Sequence, residues 1–170
     1  MTVSAPRKYN RSKRAKISND QNQESIAMDK LAHVILSEEQ LQLKTAVLEF
    51  VEKHLANEYQ KITKSKEPAM FVIQGDAGTG KSVVLNSLFN EIQKIANTEE
   101  GFKSILHGTS NYLVVNHPEM LKLYHRISKR FKYITKASLE RPTSLINNLT
   151  KQKKTVDVVI IDEGHLLATS

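Results

Sequence analysis

The chain has 170 residues, 25% of them charged, a net charge of +7 and no cysteine. That length suits one domain with an ordinary core, with or without tails, and argues against two. The missing cysteine removes disulfides, thiolate zinc sites and cysteine nucleophiles, as in a reducing compartment, and no apolar stretch approaches a membrane span, so a soluble cytoplasmic protein is expected.

The excess charge sits at the N-terminus. Arg7, Lys8, Arg11, Lys13, Arg14 and Lys16 all precede the first acid, Asp20, so residues 1–25 read as a basic disordered tail. Such a tail either adds weak, salt-sensitive affinity for nucleic acid or only keeps the chain soluble. Residues 26–68 read as a helical segment leading into the core, and 69–170 as the core itself. Within the first of these, Ser37-Glu38-Glu39-Gln40 is a capping box, with serine capping a new helix and glutamine reaching back to it. Leu41, Lys44, Val47, Leu48, Val51 and Leu55 continue that helix at helical spacing.

Pro68 then forces extension, and Ala69-Met70-Phe71-Val72-Ile73-Gln74 predicts a short buried strand. Apolar spacing from Val83 to Ile92 predicts a helix, followed by a loop over 97–108 with room for an edge strand at 104–107. Tyr112-Leu113-Val114-Val115-Asn116 is a strong strand. His117-Pro118-Glu119 starts a helix with proline at its first position and Leu121, Tyr124, Ile127 and Phe131 as its buried stripe. Lys129-Arg130-Phe131-Lys132-Tyr133 interleaves basic and aromatic residues like a small nucleic-acid surface, but a solvated helix end is the better reading. Pro142 opens one more short helix, and Val158-Val159-Ile160-Ile161 predicts a central parallel strand buried on both faces.

Two motifs carry the chemistry. Gly75-Asp76-Ala77-Gly78-Thr79-Gly80-Lys81-Ser82 fits the phosphate-loop pattern G-x-x-x-x-G-K-[ST]. Its glycines let backbone N–H groups turn toward phosphates, its lysine reaches the outer phosphates, and its serine hydroxyl sits on magnesium. A chance match in a chain this long has a probability of roughly one in a hundred, so a glycine-rich surface turn is the weaker reading. The second motif, Asp162-Glu163, ends the last strand at the carboxyl edge, where open α/β sheets bind ligands. There Asp162 is placed to hold magnesium and Glu163 to activate the attacking water.

The two motifs predict an α/β fold of the P-loop NTPase class, a RecA-like three-layer arrangement with helices on both faces of a parallel sheet. ATP and magnesium are the expected ligands, because the Asn-Lys-x-Asp motif of guanine-specific proteins is absent and small nucleotide kinases rarely need an Asp-Glu pair. Lys81 and Glu163 are the expected catalytic residues, and Ser82 with Asp162 the expected metal ligands.

Taken with Tyr112-Leu113-Val114-Val115-Asn116-His117-Pro118-Glu119-Met120, Arg141-Pro142-Thr143-Ser144 and Asp162-Glu163-Gly164-His165-Leu166-Leu167, the phosphate loop resembles the Schlafen group-3-like DNA/RNA helicase domain, among superfamily 1 P-loop helicases. The resemblance runs over roughly residues 36–170. It implies that Gln40 matches the glutamine that reads the adenine edge, a role compatible with its capping function. It also implies that residues 112–118 touch a nucleic-acid strand, and that His165 links the nucleotide state to that grip. Gly164 stands where alanine is usual, adding backbone freedom beside Glu163.

The parts that such helicases place later, including the phosphate-stabilising arginines and a second lobe, have no counterpart before Ser170, so the core is expected to be incomplete at its C-terminus. Two readings follow: the ATP- and magnesium-binding lobe of a helicase-like ATPase acting on DNA or RNA, or a nucleotide-binding regulatory or interaction module that never turns over. With nothing to follow the last strand, exposed apolar surface and self-association are expected.

Overall fold

A computed structural model describes residues 35–60, 68–75, 80–129 and 131–163. The basic tail, Asp76, Ala77, Gly78 and Thr79 of the phosphate loop, and Gly164 and His165 lie outside the described residues. The first helix, α1, spans Glu38–Gln60. Its capping box forms as the sequence predicts, with the Ser37 N–H donating to Gln40 Oε1 at 2.9 Å and the Gln40 N–H donating to Ser37 Oγ at 3.3 Å. Val47 is buried on its inner face, and Leu43, Leu48, Val51 and Leu55 pack against the core.

The second helix, α2, spans Lys81–Asn97 and buries Val84, Leu88, Phe89, Ile92 and Ala96, a stripe that returns at each turn. Behind it a three-stranded parallel sheet runs in the order β2, β1, β3, with β1 at Asn111–Val115, β2 at Leu139–Glu140 and β3 at Val158–Asp162. Parallel pairing demands crossovers. Helix α3 (Pro118–Ile127) joins β1 to β2, and α4 (Pro142–Gln152) joins β2 to β3, each with proline in its first turn, where a missing N–H costs nothing. The core gathers Leu88, Phe89 and Ile92 of α2 with Leu113, Val115, Tyr124, Leu139, Val158 and Ile160.

Several expectations need correction. Residues 69–74 form no strand and lie outside the sheet, with Met70, Phe71 and Val72 exposed. A strand exists only by sharing hydrogen bonds with a neighbour, and none of the described strands pairs with this run. Phe71 instead meets Phe50 of α1 edge-on, with ring centroids 5.3 Å apart. Residues 104–107 form turns rather than an edge strand, closed by local bonds such as Ser104 N–H to the Gly101 carbonyl at 2.8 Å.

Strand β3 is an edge strand among the described residues, and only one of its faces is covered. Val158, Ile160 and Asp162 point inward, while Val159 and Ile161 are 44% and 42% exposed. The described residues therefore form an α/β unit with a smaller sheet than the three-layer arrangement expected, and the anticipated exposed apolar surface is present. Helix α3 ends at Ile127, so Phe131 and the basic residues Lys129 and Lys132 lie beyond its last turn.

Gly101 shows how tightly the chain turns after α2. A Cβ there would lie 2.0 Å from the Ile95 carbonyl oxygen and 2.7 Å from its carbon, both backbone atoms with no rotamer to yield. Gly101→Ala is expected to destabilise the fold by about 1–3 kcal/mol, read as a lower urea midpoint at constant slope.

Candidate nucleotide-binding site

Four elements meet at the carboxyl edge of the sheet. Gly80 adopts a left-handed conformation, φ 82°, which lets the chain swing into α2 with Lys81 and Ser82 as its first residues. Helix α2 has no side-chain cap and no acidic residue in its first turn, so no carboxylate there offsets its positive dipole end, which favours an anion. The Lys81 ammonium donates to the Gly75 carbonyl and so ties the two ends of the phosphate-loop pattern together. Gln40 stands against the same loop, since a Cβ on Gly80 would fall 2.7 Å from Gln40 Nε2. Its carbonyl end stays in the α1 cap, so one side chain serves both the capping box and the loop.

On the sheet side, Val115 of β1 is in register with Asp162 of β3. Asp162 is only 4% exposed, and a buried carboxylate must be hydrogen-bonded. Its Oδ2 accepts from the Tyr124 hydroxyl at 2.9 Å, and its Oδ1 accepts from the Glu163 N–H at 3.0 Å. Glu163 follows in a turn with φ 57°, a left-handed conformation that costs a non-glycine residue about 1–2 kcal/mol and directs its side chain outward.

Tyr124, 1% exposed in α3, joins the two motifs. The Ser82 hydroxyl, at the start of α2, acts on the same phenol, so Tyr124 is in touch with both residues predicted as metal ligands. Burial foremost, then the Asp162 carboxylate, pushes this phenol well above its usual range and keeps it protonated as a donor. The sequence reading placed Tyr124 only in an apolar stripe. The signal it left was a tyrosine at a fully buried position, where a hydroxyl almost always has a polar partner.

Of the segment expected to meet nucleic acid, Leu113, Val114 and Val115 are buried core. Asn116, His117 and Pro118 emerge beside Asp162, with His117 and Pro118 exposed. Among the described residues, no cluster of three or more His, Asp or Glu side chains could hold a metal ion. No helix among them is long and apolar enough to cross a membrane.

Residues 68–170 match the family described as Schlafen group 3, DNA/RNA helicase domain. The chain belongs to this family. The family match begins at Pro68 and takes in every site residue above except Gln40, Tyr124 included. An uncharacterized protein of Saccharomyces cerevisiae, YPL245W, is 66% identical to this Schlafen-family chain over 144 residues, covering 85% of the chain and 31% of its own length. The chain thus spans about a third of that relative. No solved structure matches.

Proposed function

We propose that this chain is the ATP- and magnesium-binding lobe of a helicase-like ATPase that acts on DNA or RNA. The observation that carries the reading is the buried Asp162 carboxylate at the end of β3, held at 2.9 Å by the Tyr124 hydroxyl, on which Ser82 at the start of α2 also acts. Asp162 and Ser82 both offer hard oxygen donors, the class magnesium takes, and they lie near the positive end of α2.

In this reading Gly75, Asp76, Ala77, Gly78, Thr79 and Gly80 wrap the phosphates with backbone N–H groups. Lys81 exchanges the Gly75 carbonyl for the outer phosphates, where its charge opposes theirs. Ser82 and Asp162 hold magnesium, which when bound draws charge from the phosphoryl oxygens. Glu163, outside the core at the mouth of the site, takes the proton of the attacking water. Gln40 borders the loop at Gly80 and contacts the base. The surrounding architecture is RecA-like, and the exposed 116–118 corner, one step along the sheet edge from Asp162, touches the nucleic-acid strand. The cysteine-free composition supports a reducing compartment such as the cytoplasm.

The test is calorimetric titration of the chain with ATP and magnesium. Lys81→Ala removes a charge-assisted contact worth about 1.5–3 kcal/mol, so affinity is expected to fall roughly 10- to 150-fold. Equal affinity in the two chains would remove the phosphate loop from the reading.

A further inference from the structure

We propose that Tyr124 is a positioning residue of the magnesium site, whose buried hydroxyl holds the Asp162 carboxylate in the orientation that receives the cation. The inference rests on the nucleotide reading above and deepens it.

A carboxylate only accepts, so the single proton of the Tyr124 hydroxyl goes to Asp162 Oδ2, at 2.9 Å. The Ser82 hydroxyl acts on the same phenol. Asp162 is pinned at both oxygens, by the phenol on one and by the Glu163 N–H on the other, so its carboxylate cannot swing. The phenol itself is held by the core, since Tyr124 packs among the buried residues that include Phe89, Leu113 and Val115. An outer hydroxyl that orients metal ligands in this way typically accounts for 10- to 100-fold in metal affinity.

Tyr124→Phe keeps the ring and deletes the hydrogen bond to Asp162. With a non-hydrolysable ATP analogue, the variant is expected to match the unaltered chain in metal-free affinity within about twofold, and to lose roughly 10-fold or more of the affinity that magnesium adds. Manganese binding followed by electron paramagnetic resonance should fall in parallel. A merely structural role would lower both affinities together or neither. A second measurement avoids the variant's folding altogether: 3-fluorotyrosine at position 124 should give a fluorine resonance that moves when magnesium is added to the nucleotide-loaded chain.

Undiminished or increased magnesium dependence in Tyr124→Phe, or a fluorine resonance that stays still while calorimetry records magnesium binding, overturns the proposal and leaves the nucleotide reading standing. Failure of the unaltered chain to bind the analogue overturns both.

Discussion

Glu163→Gln is expected to bind ATP and magnesium within about twofold of the unaltered chain while hydrolysing ATP some 10²- to 10⁴-fold more slowly, measured by phosphate release at saturating ATP. The amide keeps the size of the carboxylate and can still hydrogen-bond water, but it cannot take the proton. Binding should be spared because the contacts that hold Asp162 run through the Glu163 backbone N–H and the Tyr124 hydroxyl, neither of which the change removes. Equal turnover in the two chains would remove Glu163 from the mechanism. If the unaltered chain binds ATP but shows no turnover at all, with or without nucleic acid, the non-hydrolysing regulatory module becomes the better reading.

Phe89→Ala is expected to cost about 3–5 kcal/mol, the range for deleting a buried aromatic ring. Phe89 is 0% exposed, and it sits at the centre of the α2 stripe in the cluster that joins Leu88, Ile92, Leu113 and Val158. Against a total stability of about 5–15 kcal/mol, such a loss is a large share, visible as a melting temperature lowered by roughly 6–20 °C. A loss below about 1 kcal/mol would mean that α2 does not pack on the sheet through this face. Because α2 opens with Lys81 and Ser82, nucleotide should restore part of the lost stability if it binds the folded chain.

The features legible in the sequence were those whose partners lie close by or whose residue types allow no substitute. Ser37 and Gln40 close their own box three residues apart, so the capping signal needed no knowledge of the fold. Pro118 and Pro142 marked helix starts for the same local reason. Asp162 falls at the end of β3 as the β-branched run implied.

What escaped depends on neighbours that are distant in sequence. The apolar run at 69–74 has strand composition, yet strand status is conferred by a paired neighbour and no described strand supplies one. Four β-branched residues at 158–161 suggested burial on both faces, but coverage is set by which helix lies over β3, and Val159 and Ile161 remain open. Strand β2 has only two residues, too few for any periodicity to register. Tyr124 reads as one more member of an apolar stripe because the partner of its hydroxyl, Asp162, comes from β3, 38 residues along the chain.

The central position of β1 also sets an order of events as the chain is made. Neither of its edges is filled by a hairpin. One waits for Leu139 and Glu140, the other for Val158–Asp162, and the contact that anchors the second, from the Ser110 N–H to the Asp157 carboxylate, spans 47 residues. Every strand pairing must therefore be reached by closing a long loop before it returns any free energy, which favours slow folding in a sheet of this kind. On a ribosome, α1 and α2 leave the exit tunnel well before β3 exists, so the part of the core that α2 shares with Val158 and Ile160 cannot close until nearly all of the described chain has been synthesised.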